Sequence, residues 1–256
     1  MNELIQWHGA KYWDKPWNPI VGCEPVSPAC EHCYAKAIVN RFNNTGVFAK
    51  DFKPTWKEEC KVPKKGVIFC GNMTDLFGEF IMCGTTEQLI AKAIDADAGH
   101  SVFLWLTKRA KRMMDILNAL PLFIFKKEWL STHYFGFTAE NQEWFKKRIV
   151  PMNYLKPEFN TWISCEPLLG PIDLSLAFEA YPRPKWIVVG CESGRNRRPC
   201  RLEWVESIVE QCRSAGVPVF VKQLDLGGKC VNDIEKFPPH LRIRQVPWTK
   251  KGDNHG

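Results

Sequence analysis

The sequence predicts an α/β protein: a single-domain, incomplete or distorted (β/α) barrel, related to the TIM barrel, with six or seven parallel strands. Three observations predict it. Short β-branched and aromatic runs recur along the chain, and most are followed by apolar residues at helical spacing. The runs are apolar almost throughout, as strands buried on both faces are, rather than alternating. Each run also ends in polar or turn residues, which is how the carboxyl-terminal rim of a barrel reads. An open Rossmann-like sheet shares these features and is the alternative architecture.

Seven runs are candidate parallel strands: residues 19–22, 67–70, 102–106, 134–137, 161–164, 186–189 and 218–221. Helices are expected at 33–41, 86–97, 108–117, 141–150 and 202–215, the last with Val205, Ile208, Val209 and Cys212 on one face. Segments 43–65, 120–129 and 168–185 break the pattern and read as insertions or lid loops. The domain spans 1–256, with 1–17 as an N-terminal cover and 228–256 as a C-terminal extension that frays from residue 250. Trp7, Tyr12, Trp13 and Trp17 are expected to cover the mouth or the bottom of the barrel, packing in the core in preference to stacking on bases.

With 256 residues, 45% of them hydrophobic and 25% charged, the chain suits one soluble domain with a substantial core. It contains neither a run of about eighteen apolar residues nor a signal peptide, so a cytoplasmic protein with no membrane partner is expected. Its eleven cysteines are therefore read as reduced thiols rather than as a disulfide scaffold. A formal net charge of +7 favours anionic partners. Many of the basic runs read as solvated helix faces. Arg195, Arg197 and Arg198 differ because they follow a strand-end Gly-Cys-Glu-Ser-Gly turn, where guanidinium groups suit bidentate contact with phosphate or nucleic acid.

Cys23, Cys30 and Cys33 crowd into eleven residues, and Pro25 and Pro28 make the stretch a loop on which three sulfurs can converge. Structural zinc needs a closed set of four ligands, and an ordinary 4Fe–4S cluster takes four thiolates. Three thiolates leave one position open, which suits a cluster that binds a further ligand. His32 is the alternative fourth ligand, for a zinc-containing nucleic-acid-binding protein. Glu166 and Glu192 are strand-end carboxylates, costly to bury unless paired or used, and Lys222 ends a strand on the same rim. These three are the candidate catalytic residues, with a bridge from a carboxylate to Arg195 or Lys222 as the structural reading. Together with Asp75, the two glutamates also suit a metal-dependent barrel hydrolase or nuclease.

The blocks Trp17-Asn-Pro-Ile-Val-Gly-Cys, Cys30-Glu-His-Cys-Tyr-Ala, Asn72-Met-Thr-Asp-Leu-Phe-Gly-Glu, Leu106-Thr-Lys-Arg, Phe137-Thr-Ala-Glu-Asn, Ser164-Cys-Glu-Pro-Leu-Leu-Gly-Pro-Ile-Asp, Gly190-Cys-Glu-Ser-Gly and Val221-Lys-Gln span nearly the whole chain. In this order they resemble a phage-associated three-Cys-motif family that is similar to radical S-adenosylmethionine enzymes. This chain departs from the commonest radical-enzyme spacing, Cys-x3-Cys-x2-Cys, by having six residues in the first gap, and it places His32 where an aromatic residue is usual.

The resemblance implies a radical-SAM-like barrel with a 4Fe–4S cluster on Cys23, Cys30 and Cys33, S-adenosylmethionine as cosubstrate and an electron donor such as flavodoxin or ferredoxin. It places Asn72 and Asp75 at the amine of S-adenosylmethionine and Lys108 or Arg109 at its carboxylate. Glu140 and Asn141 would meet its ribose or adenine, and Tyr34 would pack on the adenine. For Asp75 the structural alternative is a helix N-cap, and for Glu140 a first-turn acid. The expected substrate is a nucleobase or nucleotide in DNA or RNA.

Overall fold

The computed structural model describes residues 5–42, 53–57, 59–96, 101–121, 130–194 and 196–248. In chain order the elements are β1 (Ile5–Gln6), β2 (Lys15–Trp17), β3 (Ile20–Val21), α1 (Tyr34–Phe42), β4 (Thr55–Trp56), β5 (Gly66–Cys70), α2 (Cys83–Ala96), β6 (Ser101–Thr107), α3 (Ala110–Ala119), β7 (His133–Thr138), α4 (Gln142–Met152), β8 (Asn160–Cys165), α5 (Ser175–Phe178), β9 (Trp186–Gly190), α6 (Leu202–Ala215), β10 (Val219–Leu226), β11 (Lys229–Val231) and β12 (Gln245–Val246). A mixed α/β half-barrel results. Its curled sheet runs β11-β10-β9-β8-β7-β6-β5-β2, and β2 and β11 are its two edges.

The sheet has eight strands, not six or seven. Strands β2 and β5 to β10 are parallel to their neighbours, and β11 is antiparallel to β10. The strand expected at 19–22 is not part of this sheet, because Ile20 and Val21 pair antiparallel with Trp56 and Thr55. The edge strand is Lys15-Pro16-Trp17 instead. A proline has no N–H to give a second neighbour, so an edge is where it is tolerated.

The two-residue period of the strands divides the core. Ile68, Phe103, Phe135, Ile163, Ile187 and Val219 face the helices. Leu89 and Ile90 of α2, Met113 and Leu117 of α3, Phe145 and Ile149 of α4, and Ile208 and Cys212 of α6 cover them. Phe69, Leu104, Tyr134, Trp162, Trp186, Val188 and Phe220 form the other cluster, together with Trp7, Tyr12 and Trp248. Trp7 and Tyr12 are thus core residues, whereas Trp17 belongs to the helix-side cluster, edge-on to Trp105. Gly136 makes room for this packing. A Cβ there would stand 2.5 Å from the Trp162 indole, whose Nε1 donates to Trp105 O at 3.0 Å.

The first and last strands meet. β1 and β12 pair antiparallel, and Val221 N donates to Ile243 O at 2.8 Å, which ties the C-terminal segment to β10. Much of the expected insertions at 43–65 and 120–129, and the tail from residue 249, lie outside the described residues, whereas 168–185 is described throughout and carries α5. Among the described residues no helix is long and apolar enough to cross a membrane.

Candidate functional site

A cavity of about 560 Å³ opens where the strands reach their carboxyl ends. Cys23, Cys30 and Cys33 line it, and so do Tyr34, Asn72, Asp75, Lys108, Arg109, Glu166, Glu192 and Lys222. Eleven of the sixteen residues proposed from sequence thus share one cavity. Four others, Glu140, Asn141, Arg197 and Arg198, are not in its wall, and Arg195 lies outside the described residues.

The cysteine loop is pinned at several points. Gly22 N donates to Met73 O at 3.1 Å, and Thr74 Oγ1 donates to Gly22 O at 2.6 Å, so the loop entry is sewn to the segment after β5. Arg109 Nη2 donates to Glu24 O at 3.2 Å. A 3₁₀ turn, Pro28–Cys30, then delivers Cys30, whose sulfur accepts from Val26 N at 3.5 Å. Burial, then the Asp75 charge, push the Cys23 thiol up to about 11, against Asp75's backbone N–H and the Arg109 and Lys108 charges. A cation bound to the sulfur would reverse that preference.

The three thiols lie on one pinned loop, all in the wall of one cavity. Among the described residues no three His, Cys, Asp or Glu side chains already stand gathered around one metal-sized point.

Asp75 is the most heavily bonded carboxylate of the wall. Oδ1 accepts from Thr107 Oγ1 at 2.7 Å and from Phe77 N at 3.1 Å; Oδ2 accepts from Lys108 N at 3.0 Å and from Arg109 Nη1 at 3.2 Å. It caps a turn and carries no helix, contrary to the N-cap reading, and four protein donors already occupy it. Arg109 is likewise committed, to Asp75, Glu79 and the loop carbonyl. Asn72 Oδ1 accepts from Asn18 Nδ2 at 2.7 Å, and the Tyr34 hydroxyl donates to Asn72 O at 2.6 Å.

Glu166 and Lys222 form an ion pair, Oε1 to Nζ 2.8 Å. Glu166 Oε2 accepts from Tyr12 OH at 3.1 Å and from Ser164 Oγ at 3.2 Å. Burial, then the Glu166 charge, push the Tyr12 phenol well up, so it stays protonated and keeps donating. Glu192 pairs with Arg198 and His32. Burial pushes its acid up, but bonds from the Arg198 side chain and backbone and from His32 outweigh this and hold it below the ordinary range.

Glu140 and Asn141 are both engaged within the protein. Glu140 is fully buried against Arg148, and Asn141 caps α4 by accepting from Trp144 N at 3.1 Å. Arg197 pairs with Asp225 at 3.1 Å, and Arg198 is held by Glu192 and Glu31, so both guanidinium groups have carboxylate partners. Sequence reasoning did not assign site roles to Tyr12, Lys11, Lys36 or Gln223, which also line the cavity. Gln223 had a signal, since it follows Lys222 in a strand-end block; Tyr12 arrives from outside the strand pattern.

Fold and site together define an α/β half-barrel whose loop of three cysteines faces a cavity at the carboxyl ends of a mostly parallel sheet. The chain belongs to the DUF5131 family, a protein family of unknown function, whose model matches residues 8–244. No curated protein and no solved structure matches it.

Proposed function

We propose that the chain is a radical S-adenosylmethionine enzyme in which Cys23, Cys30 and Cys33 hold a 4Fe–4S cluster. The observation that carries this reading is the shared wall: these cysteines line the same cavity as Asn72, Lys108, Glu166 and Lys222. When bound, the cluster supplies the electron that cleaves the sulfonium of S-adenosylmethionine and yields a 5′-deoxyadenosyl radical. The chain's own residues bind and orient. Lys108, whose charge already acts on Cys23, meets the carboxylate of the amino-acid moiety, and Asn72 meets its amine. Tyr34, Trp13 and Phe69 provide apolar wall for a planar ring. Glu166 holds the Lys222 ammonium at the rim, where it meets an anionic substrate.

Lys11 and Lys36 add positive charge to the same wall. With the net charge of +7 they support a nucleobase or nucleotide of DNA or RNA as the substrate class. The zinc alternative would use His32 through Nε2, since Nδ1 is engaged by Glu192 at 2.9 Å. For a divalent-metal hydrolase the three carboxylates would converge, whereas Asp75, Glu166 and Glu192 each have their own cationic partner.

Anaerobic reconstitution with iron and sulfide tests the proposal. The expected result is about four irons and four sulfides per chain, with 5′-deoxyadenosine formed from S-adenosylmethionine on reduction. The Cys23→Ala, Cys30→Ala and Cys33→Ala variants should each lose both. A protein that retains zinc and takes up no iron would overturn the reading.

A further inference from the structure

Two elements that are not strand ends contribute to the mouth of the cavity. The segment before β2 is pinned on both sides, because Trp7 Nε1 donates to Lys11 O at 2.6 Å and Asp14 N donates to Val67 O at 2.8 Å. Between these points lie Lys11, Tyr12 and Trp13. Tyr12 is buried, edge-on to Trp186 at 5.2 Å, whereas Lys11 is exposed and Trp13 half-buried. The Lys11 ammonium stands 4.8 Å from the centre of the Trp13 ring, and both residues line the cavity. The second element is α1. Ala35 and Val39, four positions apart, cluster with Val21 and Met73, so Tyr34 and Ile38, also four apart, share a face turned away from that contact. They are 48% and 38% exposed and line the cavity with Lys36. The bond from the Tyr34 hydroxyl to Asn72 O holds the ring in place.

Most carboxylates of the wall are already neutralised. Asp75 pairs with Arg109, Glu166 with Lys222 and Glu192 with Arg198. Among the described residues Lys11, Lys36 and Lys108 have no ion pair, and Glu24 is the one carboxylate of the wall without a cationic partner. Three uncompensated ammonium groups against one carboxylate attract a ligand with several negative charges, and the aromatic rings among them suit planar groups. An acidic peptide would meet the lysines and leave the rings unused. A nucleic-acid strand meets both, provided that its bases are unpaired: a duplex hides their faces, and a base reaches an enclosed site only after leaving its stack.

We propose that the cavity mouth binds an unpaired segment of nucleic acid, with Trp13 and Tyr34 stacking on its bases, Lys11 and Lys36 meeting its phosphates, and one base entering the cavity. This names the form of the substrate class proposed above and rests on that reading, but it requires neither the cluster nor S-adenosylmethionine.

The test is fluorescence anisotropy of the full-length protein with fluorescein-labelled single strands of about 12 nucleotides, of DNA and of RNA, and with the matching duplexes, before and after reconstitution with iron and sulfide. A single strand of one sugar type or both should bind about tenfold more tightly than its duplex, and Trp13→Ala should weaken that binding about tenfold. Each lysine on a phosphate of a single strand contributes about 0.7 to the slope of log affinity against log salt, so Lys11→Gln with Lys36→Gln should lower the slope by about 1.4. Lys92→Gln with Lys111→Gln, on exposed positions of α2 and α3, removes the same charge and should leave the slope unchanged. If Trp13→Ala fails to fold, the exposed lysine pairs decide. Duplex bound as tightly as single strand, equal effects of the two lysine pairs, or displacement of the strand by polyglutamate as readily as by unlabelled strand would each overturn the proposal. A chain that prefers single strands but takes up no iron overturns the cluster alone, and one that loads iron yet binds both forms equally overturns this inference alone.

Discussion

Glu192 Oε2 lies 2.9 Å from His32 Nδ1, across 160 positions of sequence. The same oxygen accepts from Arg198 N at 2.9 Å, and Arg198 Nη1 reaches on to Pro28 O at 3.0 Å and Glu31 Oε2 at 3.2 Å. The stretch that carries Cys30 and Cys33 is therefore clamped to the end of β9. Arg198→Ala removes the main counter-charge of a carboxylate whose side chain is 4% exposed. The expected cost is about 2–3 kcal/mol, because a buried charge is left short of partners. Alkylation of Cys30 and Cys33 should quicken several-fold while that of Cys212, buried on α6, stays slow. Unchanged rates at the two loop cysteines would mean that the clamp does not hold the loop.

Lys222 and Lys108 present their charges to the cavity in different ways. Lys222 is held by Glu166 and stands 5.4 Å from the centre of the Tyr12 ring, whereas Lys108 lies beside the cysteine loop. Titration calorimetry with adenosine monophosphate should show Lys222→Met and Lys108→Met each weakening binding about tenfold, the worth of one charge-assisted contact. Lys111→Met should bind as the wild type does, since Lys111 is an exposed α3 residue paired with Asp115. Equal weakening in all three variants would indicate attraction by net charge alone.

The strands from β5 to β10 were legible because burial on both faces leaves apolar runs that no helix-spaced pattern imitates. α6 is observed at 202–215, as its apolar spacing predicts, and the cavity lies at the rim where the polar strand ends point. The edge of the sheet was not legible. Lys15-Pro16-Trp17 has one apolar strand residue beside a proline, while Ile20-Val21 has the composition of a strand and pairs elsewhere. Leu226-Gly-Gly-Lys229 carried a hairpin signal that was masked by reading the region as a tail. Among site residues the cysteine loop was readable from spacing, but the partners of carboxylates were not. Glu140 meets Arg148 and Glu192 meets Arg198 through tertiary geometry, and sequence position says only that a buried acid needs some partner.

Glu140 is a residue of the fold. It is fully buried against Arg148, whose guanidinium also donates to Thr138 O at 2.6 Å and Lys108 O at 3.0 Å. Arg148 thus joins the ends of β6 and β7 to α4. Arg148→Met leaves Glu140 without its counter-charge and two carbonyls without their donor, and should destabilise by about 3–5 kcal/mol in urea unfolding. Replacing both partners, Glu140→Leu with Arg148→Met, should recover part of the loss, because no isolated charge then stays buried. A double variant no more stable than Arg148→Met would show that the carbonyl contacts, not the ion pair, dominate.

His133 makes the fold sensitive to pH away from the cavity. Its ring stacks on Phe103 at 4.4 Å between centroids, and Nδ1 accepts from Trp105 Nε1 at 3.1 Å, which requires the neutral ring with its proton on Nε2. Burial pushes its pKa well below the ordinary imidazole range. The unfolded chain therefore takes up a proton near pH 6.5 that the native protein refuses, while above that value neither state carries it. Stability should fall as the pH drops below about 6.5, by up to about 1.4 kcal/mol per unit from this group, until the native ring titrates. His133→Gln keeps an acceptor for Trp105 but has nothing to protonate. Urea unfolding at about pH 7, 6 and 5 should give the wild type a steeper loss than the variant, with the difference opening only below about 6.5. Parallel pH profiles would mean that the imidazole is protonated as readily in the native core as in the unfolded chain.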